Sequence, residues 1–400
     1  MLSPSIALLI SIAGILVLLR MKVHPGFAIF AGAVILSLLG LPLLSIPSLM
    51  LKSLLDYQTI RLLVIVASAL TLSHLMEEKG LLAKLAVTME SISPKLALHF
   101  IPAVIGFVPM PAGALVSATA SMGLVKRLRL TPEQATFINY WFRHIWEYLI
   151  PTYPSIILTS VVLSIPLSSV VATLSPATAF AIMFGAVMSY GILKKAPKIK
   201  RAQTDNIVFS FIRASWPILL LVPAVLLGLE AMIAFPLILT LLALQQRAKW
   251  PELKRSLKYG GDIKVMFLLY AVMLYKAIIE SSGAAQNVFT DMQAIGLPAS
   301  VMLIALPLLI CLSTGFNPSF AGIALPLLIP YIVSDQGVLG HALLLAFVSG
   351  FTGVILSPLH LCLILSADYF KANLSRVYKY ILPPAIAVEA ITILIYYIAS

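Results

Sequence analysis

Long apolar runs separated by short polar segments dominate the sequence. Eight runs approach the length of ~20 residues that crosses a bilayer as a helix: residues 5–20, 26–44, 60–76, 172–193, 212–229, 231–246, 263–279 and 380–399. The sequence shows no alternating pattern of the kind that ~10-residue strands of a transmembrane barrel produce. The pattern therefore predicts an all-α polytopic membrane protein.

Composition strengthens this prediction. Of 400 residues, 60% are hydrophobic and 10% are charged, and the mean hydropathy is +1.04; soluble domains are roughly 45–50% apolar. The first apolar run has no basic segment before it and no small-residue cleavage site after it, so we interpret it as a span and not as a signal peptide. The longest polar segment, about 194–210, is too short for a soluble domain.

Lysine and arginine gather in particular connections, and this clustering predicts the orientation. The net charge is +12. Basic residues occur at 20–22, 79–95, 126–129, 194–201, 247–258 and 371–379, whereas 165–172, 229–231, 281–298 and 334–341 contain none. The positive-inside rule makes the first set cytoplasmic and the second external, with both termini outside the cytoplasmic membrane. Only Lys52 and Arg61 disagree with this assignment, because they lie in the second connection, which it places outside.

Two apolar stretches must enter and leave the membrane on the same side. The stretch from about 98 to 124 is basic at both ends, whereas the stretch from about 299 to 333 has no basic residue at either end. Each is therefore predicted to be a re-entrant helical hairpin. Each carries one copy of an octapeptide, GFVPMPAG at 106–113 and GFNPSFAG at 315–322, whose proline and glycine break the helix at the tip.

The octapeptide belongs to a longer internal repeat. Two further pairs of matching residues flank the octapeptide. Before it, Glu77-x-x-Gly80 matches Glu280-x-x-Gly283; after it, Pro151 matches Pro358. The prolines lie inside spans at about 135–165 and 341–366. Residues 1–200 and 201–400 are each predicted to form five transmembrane spans with one hairpin and one proline-broken span. A repeat with an odd number of spans ends on the side of the membrane opposite to its start, so the second repeat must be inverted relative to the first. Inverted repeats are typical of secondary transporters.

The first broken span contains Arg143, His144 and Glu147. Arg143 and Glu147 lie four residues apart, on one helical face, and could pair. A buried structural ion pair is one interpretation; ionisable groups inside a membrane are otherwise a functional hypothesis. In the functional interpretation, Arg143 binds a substrate carboxylate, and Glu147 or His144 exchanges a proton. A helix that breaks inside the membrane exposes an N-terminus and carbonyl groups without helical partners. The N-terminus would favour the anion, and the carbonyl groups would favour a cation.

Further candidate substrate ligands lie at the hairpin tips and broken spans: Pro109, Pro111, Gly113, Ser117, Asn139, Thr314, Asn317, Pro318, Ser319, Ser357 and His360. The alternative is structural, since a lone histidine is often a satisfied core residue and hydroxyls often bond to their own helix. A sodium ion would bind near Asn317, Ser313 and Thr352. No other metal and no cofactor is predicted.

Several other residues are interpreted as structural. Cys311 and Cys362 have apolar surroundings and no metal-ligand spacing, which indicates small buried side chains. Glu77, Glu78 and Lys79 are interpreted as a solvated helix end. The sequence has no HExxH, GxSxG or phosphate-loop motif, so an enzyme is not expected, and the loop-bound basic charge does not indicate nucleic acid.

Three segments carry a family resemblance: FVPMPAGALVSA, NYWFRHIWEY and LSPLHLCL. They resemble the integral-membrane family called domain of unknown function 401, placed in the ion transporter superfamily of dicarboxylate, citrate, gluconate and arsenite carriers and some sodium/proton antiporters. The resemblance implies an elevator-type carrier, commonly a homodimer, whose hairpins and broken spans move against a scaffold. The dicarboxylate branch has Ser-Asn-Thr at its tips. In that branch these residues are ligands of sodium and of the carboxylate. The first tip here, 108–111, lacks asparagine, so two symmetric sodium sites are not expected and proton coupling is favoured.

The leading functional hypothesis is a secondary active transporter that moves a small organic anion and is driven by a proton or sodium gradient. A passive channel is one alternative, because Asn317-Pro318-Ser319 resembles the Asn-Pro-Ala half-helix tips of water channels. A sodium/proton antiporter and a membrane scaffold are others. The expected partners are a small-molecule or ion substrate and membrane lipid.

Overall fold

The computed structural model describes residues 3–106, 113–197 and 206–400, which fold predominantly into α-helices. In the first half the helices are α1 (Pro4–Arg20), α2 (Pro25–Gly40), α3 (Ile46–Leu55), α4 (Tyr57–Glu78), α5 (Leu81–Ile92), α6 (Pro94–Gly106), α7 (Gly113–Arg127), α8 (Pro132–His144), α9 (Pro154–Val162) and α10 (Leu167–Leu193). Two 3₁₀ turns, Leu43–Ser45 and Ile145–Tyr148, complete this half.

In the second half the helices are α11 (Ile207–Leu226), α12 (Ala231–Gln245), α13 (Trp250–Gly260), α14 (Ile263–Ser282), α15 (Ala284–Ala294), α16 (Ala299–Thr314), α17 (Leu325–Ile332), α18 (Gly340–Leu356), α19 (Leu361–Phe370) and α20 (Leu374–Ala399). A π turn, Phe320–Ala324, precedes α17. The antiparallel strands β1 (Val333–Ser334) and β2 (Gly337–Val338) join α17 to α18.

Local sequence explains where several helices begin. The Asp56 side chain accepts hydrogen bonds from the backbone at the start of α4, and Asp262 does the same for α14. At the start of α8, Thr131, which directly precedes Pro132, forms a capping box with Gln134. Such caps satisfy N–H groups that have no partner within the helix, and they fix the register of the helices that reach the protein interior.

The length and apolar composition of the helices show that the bundle is a multi-pass membrane protein. Within the part of the chain that the structure describes, five segments are long and apolar enough to cross a bilayer: Tyr57–Glu78, Leu167–Leu193, Ile207–Leu226, Gly340–Phe370 and Leu374–Ala399. Shorter apolar helices, among them α1, α2, α12 and α16, correspond to further apolar runs of the sequence. Large apolar side chains such as Val187 and Leu244 are exposed on the surface, as expected where the solvent is lipid.

Within the described residues, four connections between the longer helices contain short helices instead of loops. They are α3, α5, α13 and α15, of 10 to 12 residues each. Helix α13 packs against α4, where Arg255 Nε lies 2.7 Å from Glu78 Oε1 and Lys79 Nζ lies 2.5 Å from Glu252 Oε2. The expectation of a solvated helix end is therefore wrong for Glu78 and Lys79, because α13 covers them.

The interior is built around the close approach of α16 and α18. An added Cβ at Gly353 would lie 2.4 Å from the Leu308 carbonyl oxygen, so glycine at this position lets the two backbones meet. Ser357 Oγ then donates to the Leu312 carbonyl at 2.7 Å. Large aromatic side chains, including Tyr140, Phe320 and Phe347, fill the buried space beside these helices.

Candidate functional site

Two helices of the core are interrupted in their interiors. Helix α8 ends at His144, a 3₁₀ turn follows, and α9 begins at Pro154. Helix α18 ends at Leu356, and α19 begins at Leu361. The interruptions contain Pro151 and Pro358, which lack the backbone N–H that a continuous helix needs. Both breaks thus lie at the prolines that the sequence singled out.

The turn at residues 315–319, where the sequence predicts the second hairpin tip and which we call by that name, lies against the second break. Helix α16 ends at Thr314, and Gly315 adopts a φ of +62°. The tip packs so closely that an added Cβ at Gly315 would lie 2.7 Å from the backbone nitrogen of His360. At the first tip, the predicted ligands Pro109 and Pro111 lie outside the described residues. Gly113 is buried and begins α7.

Asn317 connects the second hairpin tip to the first break. Its Nδ2 donates to Glu147 Oε2 at 2.6 Å and to Ser155 Oγ at 3.0 Å. Asn317 and Glu147 are both buried, 6% and 7% exposed. Among hydrogen bonds within the described residues, Asn317 Oδ1 accepts none. A buried acceptor of this kind has capacity for a ligand or a water molecule.

The predicted pairing of Arg143 with Glu147 is not found among the ion pairs of the described residues. Helix α8 ends at His144, and the following 3₁₀ turn removes the i, i+4 relation that an α-helix would give. His144 Nε2 instead lies 3.8 Å from Glu147 Oε1. Arg143 is 3% exposed, and its Nη1 lies 3.8 Å from Cys362 Sγ.

Two histidines from opposite halves of the chain meet at the breaks. His144 Nε2 and His360 Nε2 lie 3.1 Å apart. The Nδ1 of His144 is 2.6 Å from the Tyr140 carbonyl, and the Nδ1 of His360 is 2.6 Å from the Gly315 carbonyl. Cys362 Sγ completes a group of potential ligand atoms that all lie within 4.8 Å of one another. We call the six residues around the breaks the junction cluster: His144, Glu147, Ser155, Asn317, His360 and Cys362.

Several other predicted ligands form bonds within the protein. Asn139 Nδ2 donates to the Ala114 carbonyl and to Ser366 Oγ. Ser117 Oγ donates to the Ala114 carbonyl, and Thr314 Oγ1 donates to the Cys311 carbonyl. These bonds join or stabilise α7, α8, α16 and α19, so the structure gives each residue a structural role. Pro318 and Ser319 are buried beside Asn317.

The three residues predicted to lie near a sodium ion have different surroundings. Asn317 belongs to the junction cluster, whereas Ser313 is exposed at the end of α16. The Thr352 hydroxyl donates to Glu389 Oε2 at 2.8 Å, and Ser349 Oγ donates to Glu389 Oε1 at 2.5 Å. Thr352 is therefore engaged with α20.

Sequence reasoning missed Cys362, Ser155 and Glu389. Cys362 lies two residues after His360, but this spacing gave no indication that His144 would complete the group. Glu389 is the only acidic residue of the apolar run 380–399, which is a signal that could have identified it. Ser155 has no distinguishing sequence pattern, since its role depends on where the second hairpin tip folds.

The fold is similar to that of a transporter whose structure has been solved. The chain is similar to the YdaH transporter of Alcanivorax borkumensis, whose crystal structure reveals an unusual topology. The TM-score is 0.59, the match covers 87% of this chain and 86% of that chain, and the sequence identity is 13%. No curated protein matches the sequence. A family model described as "Protein of unknown function (DUF401)" matches residues 2–399, and the chain therefore belongs to the DUF401 family.

Proposed function

We propose that this protein is a secondary active transporter that moves a small organic anion and is coupled to a proton or sodium gradient. The observation that carries the proposal is the convergence of two helix breaks and the second hairpin tip on the buried junction cluster. Discontinuous helices that meet inside a membrane bundle are typical of secondary carriers. The similarity of fold to a transporter supports the same function.

The internal organisation of the chain supports an alternating-access mechanism. Each half contains a long span flanked by two short helices, then two apolar helices, an interrupted helix and a final long helix. We interpret residues 1–200 and 201–400 as inverted repeats with re-entrant hairpins at about 98–124 and 299–333. In an elevator-type mechanism, the hairpins and broken helices move against the remaining spans. We expect a homodimer in the cytoplasmic membrane, with both termini external.

Arg143 and two helix N-termini support an anionic substrate. Arg143 is buried, and a planar guanidinium can bind a carboxylate through two hydrogen bonds. In the described structure, no side chain caps the N-terminus of α9 or of α19. Both helices begin at the breaks, and their N-terminal N–H groups favour a negative charge.

The cavity that adjoins the junction cluster at His144 is small, which favours alternating access. A cavity lined by His144, Tyr148 and Thr352, among others, has a volume of about 10 Å³. This volume accommodates about one water molecule. An organic anion that binds in this cavity therefore requires the surrounding helices to move, as they do in alternating access.

The placement of polar groups suggests where the coupling ion binds. Glu147 and His144 are the residues placed to exchange a proton. Asn317 Oδ1 provides a buried oxygen for sodium, with Ser313 and Thr352 as further candidates only after rearrangement. A sodium/proton antiporter is the second candidate function, because Glu147 and Asn317 Oδ1 lie in one cluster.

Uptake into proteoliposomes tests the proposal. Thermal unfolding of the purified protein would first be screened against succinate, citrate, gluconate and sodium, because a ligand of the folded state raises its apparent stability. Uptake of the stabilising anion would then be measured under an imposed proton or sodium gradient. Accumulation above equilibrium that collapses with an ionophore is expected. Flux that only follows the anion gradient would identify a channel, and sodium/proton exchange without anion uptake would identify an antiporter.

A further inference from the structure

The two histidines of the junction cluster are held in one tautomer by backbone carbonyls. A carbonyl oxygen only accepts hydrogen bonds, so the Nδ1 atoms near the Tyr140 and Gly315 carbonyls must carry the protons. In a neutral imidazole the other nitrogen then has a free lone pair. The Nε2 atoms of His144 and His360 therefore direct their lone pairs toward each other across 3.1 Å.

Two facing lone pairs form a binding site for a cation. In a tetrahedral zinc site, Zn–N bonds of 2.0–2.1 Å place two nitrogen ligands roughly 3.3 Å apart. The separation of 3.1 Å between His144 Nε2 and His360 Nε2 is close to this value. Metal-bound histidines also commonly donate their second N–H to a carbonyl or carboxylate, and both of these histidines do so.

Cys362 and Glu147 supply two further ligand types at the same place. Cys362 Sγ lies within 4.8 Å of one ring nitrogen of each histidine, and Glu147 Oε1 lies 3.8 Å from His144 Nε2. Arg143 Nη1 lies 3.8 Å from Cys362 Sγ, on the edge of this group. A thiolate and a carboxylate together match the two positive charges of a divalent ion.

We propose that His144, His360 and Cys362, with Glu147 as a fourth ligand, bind a divalent transition-metal ion of the zinc class. Imidazole nitrogen and thiolate sulfur are ligands for such ions, whereas magnesium and calcium prefer oxygen ligands. Four groups that include sulfur, nitrogen and oxygen fit a tetrahedral ion. The site is proposed independently of the transported substrate.

A metal ion at this site would connect the two halves of the molecule. His144 ends α8, whereas His360 and Cys362 lie in the second break and at the start of α19. Coordination would fix the distance between the two interrupted helices. Zinc is therefore expected to hold the bundle in one conformation and to slow any transport that requires the helices to move.

Cobalt binding to the purified full-length protein, freed of any affinity tag, provides a test. Co²⁺ takes tetrahedral zinc sites and gives a thiolate-to-cobalt charge-transfer band when cysteine is a ligand. We expect one equivalent of Co²⁺ to produce this band and one equivalent of Zn²⁺ to abolish it. The substitution Cys362→Ser should remove the band. Cys311→Ser is the control, because Cys311 is buried and lies outside the group, and it should retain the band.

His360→Gln provides a second variant in case Cys362→Ser fails to fold. It should weaken Co²⁺ binding at least tenfold while thermal unfolding without metal shows an intact protein. Binding without a charge-transfer band in the wild type, or an unchanged band in Cys362→Ser, would overturn the proposal. Anion uptake measured with a chelator present separates the two proposals: it reports the carrier whether or not the metal site exists.

Discussion

Asn317 at the tip of the second hairpin donates a 2.6 Å hydrogen bond to Glu147 in the first helix break. The residues are 170 positions apart in the chain, and both are buried. Buried carboxylates are stable only when they are paired or hydrogen-bonded. The bond therefore fixes the hairpin tip against the break and makes the two halves of the chain interdependent.

Replacing Asn317 by alanine should destabilise the protein and stop anion uptake. The substitution removes both Nδ2 hydrogen bonds, to Glu147 and to Ser155, and leaves a buried carboxylate without this donor, which costs about 1–3 kcal/mol. Thermal unfolding and proteoliposome uptake measure the two effects. Asn287→Ala is the control, because Asn287 is exposed on α15 and bonds only to the local Gly283 carbonyl. Equal losses in both variants would contradict a special role for Asn317.

Arg143→Ala should abolish the thermal shift produced by a carboxylate ligand. Under the proposed function, the guanidinium binds the carboxylate, and lysine cannot reproduce its two parallel N–H groups. Arg143→Lys should therefore retain only weak binding, at least tenfold lower than that of the wild type. Arg213→Ala removes an exposed arginine on α11 and should leave the shift unchanged. A normal carboxylate shift in a folded Arg143→Ala variant would exclude this residue as the anion ligand.

Gly315→Ala should destabilise the protein through two effects. Its φ of +62° is unfavourable for a side chain, and the added Cβ would lie 2.7 Å from the His360 backbone nitrogen. The first effect costs roughly 1–2 kcal/mol. Gly296→Ala isolates this effect, because Gly296 has a φ of +71° but open space around its Cβ position. Thermal unfolding should show a clearly larger loss for Gly315→Ala, and equal losses would mean that the tip can move away from His360.

The apolar runs and the prolines allowed much of the fold to be predicted. Hydropathy located most of the long helices, and the two interruptions contain Pro151 and Pro358. Hydropathy did not reveal short helices such as α13, because its charged residues are typical of a loop. Those helices depend on packing against neighbours such as α4, which single-sequence patterns do not show.

The junction cluster was predictable only in part. Arg143, His144 and Glu147 were identified because charged groups are costly inside a membrane. Asn317 and His360 were also candidates, but their contacts with Glu147 and His144 were not predicted, because His144 and His360 are 216 positions apart and meet only after both helices break. Glu147 could have paired with Arg143 in a continuous helix, but a 3₁₀ turn follows His144, and Glu147 accepts a hydrogen bond from Asn317.

Glu389→Gln should weaken the contact between α18 and α20. Ser349 and Thr352 each donate a hydrogen bond to one carboxylate oxygen of Glu389. Glutamine has only one accepting oxygen, so one hydroxyl loses its acceptor, at a cost of about 1 kcal/mol. Glu280→Gln is the control: Glu280 is 54% exposed, and it forms a 3.7 Å pair with Lys276 that should contribute little. Urea or thermal unfolding in detergent would compare the two variants, and equal stabilities would contradict a structural role for Glu389.

The ion pair of Lys79 with Glu252 should make stability depend on pH. The hydrogen bond from Lys79, followed by that from the Lys249 backbone, lowers the pKa of the Glu252 carboxyl below its ordinary value. A carboxyl whose pKa is lower in the folded state stabilises the protein above its unfolded pKa, about 4.3. This stabilisation is lost as the pH falls through the folded pKa.

Glu252→Gln should therefore lower the melting temperature at pH 7 but not at a pH below the folded pKa of Glu252. The difference between wild type and variant should shrink below about pH 4.3, where the unfolded carboxyl begins to bind its proton. Because the pair is partly exposed, high salt should reduce the effect at pH 7. Glu77→Gln changes an exposed carboxylate at the same end of α4 and serves as the control. A difference that persists at low pH would mean that Glu252 acts through packing against α4 and not through its charge.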